Sequence, residues 1–595
     1  MNVQRQPQSQ NEPANAVAPD TRGWNFYEAD MGLKDLLGLY LEPELLAHLT
    51  PWLSKMGSMV ANELDEAAHM ADSHPPVLHH RDRFGRDRQW IEYHPAYRQL
   101  EEAAYGTFGM HAMSHKAGIM DWPKPYPATA KHAFTYLFNQ AEFGLGCPIN
   151  VTDSGVHSLL RFADPELKDW LVPLMTSTDV DELWQGGQYM TEKEGGSDVG
   201  SLTTEARFED GHWRLYGEKW FCSNADAKLN LLLARPEGAG PGTRGLGMFA
   251  MPRFLEDGSQ NHFRTVRLKE KLGTRSMASG EVILNGAIAY PVGPLDRGIH
   301  QMLEMVNWSR LSNGIKSSAL MRRAAHDATA VIKGRVVFGS PLHQKPLARR
   351  QMLKIQLPAE QSLSMWMFTA DVLDKAEGYG GAAPSQEAQA VLRMATPVLK
   401  FRSTRDGRRV TGDAMEMRGG IGYVEEWVNP RLLRDAHLGS IWEGTSNIVA
   451  LDAVTRAVRK HDCHEPLHAA LSQRLEESDG VPADYIATLK GHLDRALALI
   501  GQVAAEQADE ASCRQATSAF YHAATAALMA WEASQIHKKR GDARRLLWSR
   551  LIIDHRLTPR DPYAIVDHAW EDQVSALLLG DANVSMEDAA RLVSA

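Results

Sequence analysis

Residues 190–199 read MTEKEGGSDV, and the pattern of the sequence changes on either side of this stretch. From about residue 32 to residue 177, Trp, Leu and Met recur every three or four positions, which is the spacing of amphipathic helices. Between about 186 and 295, short apolar runs alternate with turn signals, which is typical of an antiparallel sheet, a sandwich or a barrel. The turn signals are Asp210-Gly211, Asp257-Gly258 and Asn285-Gly286, and the apolar runs are Trp213–Tyr216, Leu231–Ala234, Leu246–Met251 and Val282–Leu284.

Helical spacing returns at about Ile299 and continues to Val458. The polar stretch Lys460–Ala483 predicts a linker, and beyond it Ile486, Leu489, Leu493, Leu497 and Ile500 have the spacing of one helix face. The predicted fold class is α+β, mostly helical. The predicted domains are a disordered tail (1–24), an N-terminal helical domain (25–185), a central antiparallel β domain (186–295), a helical bundle domain (296–459), and a linker with a C-terminal helical extension (460–595).

Composition limits the function classes that remain. The 595 residues include 64 Lys and Arg against 74 Asp and Glu, and this acidic balance argues against a general nucleic-acid coat. Four cysteines without a C-x-x-C pair exclude a disulfide framework and a zinc ribbon. Reduced thiols, the absence of an apolar segment in the first 22 residues, and the lack of a membrane-spanning run predict a soluble, cytoplasmic protein. No metal site is predicted, because the histidines around His461 fall in the predicted linker.

Three short motifs suggest chemistry, and each has an ordinary structural alternative. Adjacent glycines flanked by hydroxyls in 190–199 offer backbone N–H groups to an anion such as a pyrophosphate, or form a simple turn. Lys219–Asn224, KWFCSN, places an aromatic ring beside small polar groups, which suits stacking on a flat heterocycle or core packing. Ser440–Asn447, SIWEGTSN, holds one carboxylate between Trp and Gly. That carboxylate suits a general base, or it is a Glu favoured by the dipole in the first turn of a helix.

Together the three motifs resemble the acyl-CoA dehydrogenase superfamily, in the order that the superfamily has them. MTEKEGGSDV resembles its M-T-E-x-x-x-G-S-D strand, KWFCSNAD its W-x-T-N segment, and IWEGTSNI its Y-E-G-T catalytic helix. The supporting segments are Arg335–Gly339, Met417–Tyr423 and Arg434–Ala436, and the resemblance covers about residues 75 to 455. It implies the helical, β, helical order, bound FAD and an oligomer.

The resemblance also implies roles for residues. Glu443 would abstract the α-proton of an acyl thioester while hydride leaves the β-carbon for FAD, and the Glu443 backbone N–H would help to polarise the thioester carbonyl. One branch of the family carries its base just before a helix arginine. The matching arginine here is Arg310, a supporting residue, and Ser309 before it cannot serve as a base. The implied FAD-binding residues are Met190, Thr191, Gly196, Ser197, Trp220, Cys222, Ser223, Thr445 and Asn447, with Arg335, Phe338 and Gly420 reaching from a neighbouring subunit. Cys222 stands where many relatives have Thr.

Within the superfamily, the front of the chain and its long helical C-terminus resemble the AidB-like branch of adaptive-response flavoproteins. This resemblance implies a homotetramer and, as an alternative function, a DNA-binding flavoprotein of the alkylation-damage response with little dehydrogenase activity. Residues 538–560 carry eight basic residues against two aspartates, so Lys538, Lys539, Arg540, Arg544 and Arg545 are predicted contacts to duplex DNA. The alternatives are a solvated face paired with acidic neighbours, or a subunit contact. The other implied partners are an acyl-CoA substrate and an electron-transferring flavoprotein, and an oxidase or monooxygenase on the same fold stays open.

Overall fold

A computed structural model of the chain describes residues 18–505, 510–565 and 567–594. Its helices are α1 (Phe26–Ala29), α2 (Met31–Tyr40), α3 (Pro43–Ala61), α4 (Glu63–Ser73), α5 (Pro95–Glu101), α6 (Ala128–Phe138), α7 (Gly146–Phe162), α8 (Pro165–Met175), α9 (Gly298–Gly334), α10 (Pro346–Glu377), α11 (Gln386–Arg418), α12 (Val428–Gly439), α13 (Ser446–Leu451), α14 (His464–Glu476), α15 (Ala483–Ala505), α16 (Cys513–Arg540), α17 (Arg544–Ile552), α18 (Ala569–Leu578) and α19 (Met586–Ser594). Its strands are β1 (Val77–Arg81), β2 (Asp87–Glu92), β3 (Gly186–Tyr189), β4 (Glu205–Glu209), β5 (His212–Ser223), β6 (Leu229–Pro236), β7 (Gly247–Pro252), β8 (Phe263–Leu268), β9 (Ser279–Pro291), β10 (Val336–Val337) and β11 (Ser340–Pro341). This mostly helical chain with a central sheet is the predicted fold class.

The chain divides into two compact units. Among the described residues, unit 1 contains residues 18–62, 127–140 and those from 313 onward, and unit 2 contains residues 63–126 and 141–312. The predicted tail falls mainly on residues 1–17, which lie outside the described residues. From residue 18 the chain is described, and Ala18 and Thr21 are buried.

Unit 2 is built around a seven-stranded sheet in the order β3-β6-β4-β5-β9-β7, with β8 paired to β9. The sheet is mainly antiparallel, and β6 adds two parallel pairings, with β3 and β4. Its core contains Tyr189, Phe249 and Val282, because alternate side chains of each strand point inward. The four predicted apolar runs lie on strands of this sheet, except that Leu246 precedes β7 by one residue.

The predicted turns had different outcomes. Asp210 and Gly211, with φ of 51° and 81°, join β4 directly to β5, as left-handed residues do in tight hairpins. The predicted turn at Asn285-Gly286 is wrong, because both residues lie inside β9. Gly286 has a φ of 81° at a shift in the β5–β9 register, so this glycine forms a bulge rather than a chain reversal.

Sequence periodicity also missed the hairpin β1–β2 inside the predicted N-terminal helical domain. Its two strands are largely exposed, so neither has the apolar alternation that identifies a strand from sequence. Gly85, with a φ of 80°, lies in the connection between them. The hairpin belongs to unit 2.

Unit 1 is a helical assembly. α10 and α16 pack on each other and form its interior, and residues 357–370 of α10 and 520–530 of α16 are all buried. The prediction that residues 460–483 form a linker is wrong, because α14 occupies 13 of them. Leu467, Leu471 and Leu475 recur every four residues and bury one face of α14, and the polar residues on the other face hid this pattern. In the described part of the chain, no helix is long and apolar enough to cross a membrane.

Candidate active site

The predicted catalytic carboxylate lies in unit 1, in the turn between α12 and α13. Glu443 and Gly444 have φ of 55° and 95°, so the backbone is left-handed at two consecutive residues. Glycine adopts this conformation readily, whereas a non-glycine residue does so at a cost of about 1 kcal/mol or more. The alternative interpretation, a Glu in the first turn of a helix, is wrong, because α13 begins three residues later at Ser446.

Residues from α9 and α11 hold this turn. The fully buried Lys400 donates hydrogen bonds to the carbonyl oxygens of Trp442 (2.9 Å) and Gly444 (2.6 Å), on both sides of Glu443. Lys316, also buried, places its ammonium 4.6 Å from the centroid of the Trp442 ring. The sequence motif pointed to Glu443 but not to these lysines, because they lie 43 and 127 residues away in the chain.

Asn313 holds the end of the preceding helix, since its side-chain amide donates to the Gly439 carbonyl at 3.1 Å. Thr445 and Asn447 follow the turn and are exposed at the start of α13. Glu443 itself is half-buried. The turn therefore presents a carboxylate and two exposed polar side chains on a firmly held backbone.

The predicted FAD-binding residues of the first two motifs lie in unit 2. Met190 and Thr191 follow directly after β3, and the Trp220 backbone N–H donates to the Thr191 carbonyl at 2.9 Å. The structure thus brings the first and second motifs side by side. Gly196 and Ser197 lie in an exposed loop, as a site for an anion requires.

Glu192 anchors this loop. Its buried carboxylate accepts hydrogen bonds from Lys219 Nζ at 2.6 Å and from the Thr203 backbone N–H at 2.6 Å. Burial opposes ionisation, but Lys219 and the hydrogen bonds outweigh it and hold the pKa of Glu192 below its ordinary value. The charged, hydrogen-bonded Glu192 carboxylate therefore holds the start of the glycine-rich segment in place after β3.

Cys222 is not placed to bind a cofactor through its side chain. The thiol lies in the core of the sheet with Tyr189 and Val282, and burial raises its pKa. The neighbours Phe221 and Ser223 point to the opposite face, where Phe221 is 56% exposed and Ser223 half-buried. A cofactor contact at Cys222 would therefore have to use its backbone, and this assignment stays a prediction.

Phe221 is a candidate site residue that the sequence motif did not identify. The ring of Trp220, the predicted stacking residue, is already covered by Lys269 Nζ, 3.5 Å from its centroid. Strand alternation places Phe221 on the face opposite to the buried Cys222, but the register shift between Lys219 and Cys222 prevents this assignment from the sequence alone. Lys269 Nζ also lies 4.8 Å from the centroid of the Phe221 ring, but Phe221 remains 56% exposed. An exposed aromatic ring near the Ser223 hydroxyl fits a flat, hydrogen-bonding heterocycle such as the flavin of FAD.

Comparison with known proteins agrees with the order of the helical and β segments. Three family models match in order: "Adaptive response protein AidB N-terminal domain" over residues 15–182, "Acyl-CoA dehydrogenase, middle domain" over 187–287, and "Acyl-CoA dehydrogenase, C-terminal domain" over 296–458. The putative acyl-CoA dehydrogenase AidB of Escherichia coli is 36% identical over 419 residues, covering 69% of this chain and 74% of the relative. The chain belongs to the acyl-CoA dehydrogenase family.

Two further comparisons come from Caenorhabditis elegans. Acyl-CoA dehydrogenase family member 11 is 31% identical over 463 residues, covering 76% of this chain and 73% of the relative. The crystal structure of ACDH-11 in complex with C11-CoA superimposes with a TM-score of 0.81 and 26% identity, covering 93% of this chain and 95% of that one. Acyl-CoA dehydrogenases are FAD-dependent oxidoreductases that act on the CH–CH group of acyl-CoA, so the predicted enzyme class and cofactor are confirmed at the level of the family.

In this acyl-CoA dehydrogenase family member, the three residues predicted to serve a neighbouring subunit lie at one surface of unit 1. Arg335 donates to the Arg418 carbonyl at 3.2 Å, which brings its guanidinium to the glycine pair that includes Gly420. Phe338, in the β10–β11 connection, is 96% exposed. Val336 and Tyr423, near Phe338 and Gly420 in the chain, are also exposed, and a group of exposed apolar side chains is typical of an interaction surface.

The alternative base position of the acyl-CoA dehydrogenase family is closed in this chain. Ser309 is buried, and its hydroxyl accepts a hydrogen bond from the Asn150 amide at 2.7 Å. Arg310 is also buried and lies 3.4 Å from the Asn307 side-chain oxygen. Neither Ser309 nor Arg310 carries a carboxylate, so this position offers no alternative to Glu443 as a base.

The five predicted DNA contacts do not form an open basic patch. Arg545 is wrong as a contact, because its guanidinium is 3% exposed and binds Glu532 (2.6 Å) and Glu360 (2.9 Å). The other four have partners within unit 1: Lys538 pairs with Asp479, Lys539 donates to the Gly38 carbonyl, Arg540 pairs with Asp35 and Asp542, and Arg544 pairs with Asp542. This matches the alternative interpretation of a face paired with acidic neighbours.

Proposed function

We propose that this protein is an FAD-dependent acyl-CoA dehydrogenase in which Glu443 is the catalytic base. The observation that carries the proposal is the turn itself, a half-buried carboxylate at a left-handed residue whose flanking carbonyls are bound by a buried lysine. Such a turn keeps a base in one orientation, which proton abstraction needs. Glu443 Oε would take the α-proton of the thioester, and its backbone N–H would hold the thioester carbonyl as negative charge develops there.

FAD, when bound, accepts the hydride that leaves the β-carbon. We propose that Phe221 and Ser223 contact its ring and that Met190, Thr191, Gly196 and Ser197 bind its polar portion, whereas Thr445 and Asn447 stay predicted contacts. In support, Phe221 and Ser223 share an open face, and the glycine-rich loop is exposed. Arg335, Phe338 and Gly420 would bind the FAD of a neighbouring subunit in a homotetramer, because Arg suits phosphate and Phe338 is 96% exposed.

The proposed substrate is an acyl-CoA with a chain of medium length. Its support is the likeness to ACDH-11, which was crystallised with C11-CoA. An electron-transferring flavoprotein is the proposed electron acceptor. The cytoplasmic location stays a prediction.

The test is an anaerobic titration of the FAD-loaded protein with short, branched, medium and long acyl-CoAs. Loss of the main flavin absorbance band with one class would establish dehydrogenation and identify the substrate. Intact FAD without bleaching by any acyl-CoA would contradict the proposal and favour the alternative, a DNA-binding flavoprotein with little dehydrogenase activity. A gel shift at several salt concentrations would then test duplex DNA.

A further inference from the structure

The peptide unit that joins Trp442 to Glu443 connects a buried ammonium to the proposed oxyanion donor. Lys400 Nζ lies 2.9 Å from the carbonyl oxygen of this peptide, and the N–H of the same peptide belongs to Glu443. Donation to the carbonyl of an amide withdraws electron density from its nitrogen and makes its N–H a stronger donor. A charged donor has a larger effect than a neutral one.

The environment of Lys400 strengthens this effect. Its side chain is 0% exposed, so the charge is screened little by water. A buried ammonium is costly unless it is hydrogen-bonded, and both carbonyls that Lys400 contacts belong to the turn. Its second bond, at 2.6 Å to the Gly444 carbonyl, fixes the other side of Glu443.

The backbone conformation explains why a lysine is needed there. Glu443 and Gly444 both have a left-handed backbone. A short turn keeps this conformation only when contacts from the surrounding structure hold it. One ammonium can bind two carbonyls that face the same side of the chain, because it carries three donors. Lys316 steadies the adjoining ring from 4.6 Å, so Trp442 is held at its carbonyl and at its side chain.

We propose that Lys400 is a positioning residue for catalysis, which holds the Glu443 carboxylate in its left-handed turn and polarises the Trp442–Glu443 peptide so that the Glu443 N–H binds a thioester carbonyl more strongly. This inference rests on the proposed function, in which Glu443 is the base. Lys400 does not touch the substrate in this scheme. It acts through the backbone on both groups that do.

The first experiment is Lys400→Met in the FAD-loaded protein, a substitution of similar length without charge or donors. We expect retained FAD, retained binding of a non-oxidisable thioether analogue of the acyl-CoA, and flavin reduction slowed roughly tenfold to a hundredfold, as when an oxyanion donor is weakened. Lys131→Met is the matched control, because Lys131 is also buried in unit 1 but lies on α6. A reduction rate equal to that of the wild type would overturn the inference.

The second experiment separates polarisation from mere folding. The infrared band of a bound thioester labelled with ¹³C at its carbonyl reports polarisation and needs binding but no turnover. We expect the band to move toward that of the free thioester in Lys400→Met and to remain shifted in Lys400→Arg, which keeps a cationic donor. If Lys400→Met does not fold, Lys400→Ala with and without n-propylammonium replaces it, with recovery of the band shift expected on adding the amine. An unchanged band in a folded, neutral variant would refute the polarising role.

The two proposals fail in different ways. If wild-type protein reduces FAD and Glu443→Gln reduces it equally well, the proposed function is wrong. If Glu443→Gln is inactive but Lys400→Met is as fast as the wild type, only the role of Lys400 is wrong.

Discussion

The turn at Glu443 and the strand segment Trp220–Ser223 are held by different kinds of interaction. The turn depends on side chains from distant parts of unit 1, chiefly Lys400, which binds its carbonyls directly. The strand segment depends on its β ladder with β9, where Cys222 pairs with Gly280 and Ser223 with Ser279. The turn is fixed by a few buried polar contacts, and the strand segment by its pairing with β9, which sets the face on which each side chain lies.

This difference predicts how each region responds to substitution. Removing one long-range contact of the turn changes the orientation of a single carboxylate, so the effect falls on rate. A substitution on the strand changes either FAD binding or the stability of the fold, according to the face on which the side chain lies. The following variants test this contrast.

The largest effect is expected for Glu443→Gln, which keeps the shape of the side chain but removes its ability to accept a proton. The rate of flavin reduction by acyl-CoA should fall by about a thousandfold or more, with FAD still bound. Glu387→Gln is the control, because Glu387 is an exposed carboxylate on α11. Stopped-flow absorbance measures the rate of flavin reduction in both variants. Comparable rates in the two would show that Glu443 is not the catalytic base.

The next largest effect concerns the two aromatic residues of the strand. Phe221→Ala should weaken FAD binding roughly tenfold, because it removes the more exposed of the two rings. Trp220→Ala should weaken binding less, since Trp220 is half-buried and Lys269 Nζ lies nearer to its ring, at 3.5 Å against 4.8 Å for Phe221. Fluorescence titration of the apoprotein with FAD gives both dissociation constants, and the reverse order would restore Trp220 as the stacking residue.

The same two regions show what can be predicted from the sequence. The helical, β, helical order and the carboxylate at Glu443 follow from periodicity and a short motif, because both are local signals. The faces of Trp220, Phe221 and Cys222 did not follow, since one register shift reverses the alternation. Lys400 could not be selected either, because only the packing of α11 against the turn brings it to these carbonyls.

A smaller effect is expected for Cys222→Ser, which tests the inner face of the strand. A hydroxyl placed among Tyr189, Phe249 and Val282 should lower the free energy of unfolding by about 2 kcal/mol, because it loses its hydrogen bonds to water. The flavin absorbance spectrum should not change. Urea denaturation measures the free energy of unfolding. An altered flavin spectrum would show that the Cys222 side chain contacts the cofactor.

The smallest effect is a pH dependence at the far end of the strand. Asn224 follows β5 directly, has a φ of 56° and donates to Gln185, which in turn donates to Glu101 at 2.7 Å. Burial raises the pKa of Glu101 to about 7, more than Arg98 and the hydrogen bonds lower it.

The folded state therefore holds a proton on Glu101 that the unfolded state loses near its ordinary pKa of 4.5. The stabilisation is complete below pH 4.5 and is lost as the pH rises to about 7, so the contribution of Glu101 to the unfolding free energy should fall across this interval. Glu101→Gln should remove that part of the slope, because glutamine does not titrate. Glu102→Gln, at the neighbouring exposed carboxylate, is the control and should keep the slope. Urea unfolding at pH 5 and pH 8 measures all three proteins, and an equal slope in Glu101→Gln would show that the strand end is held without a protonated carboxyl.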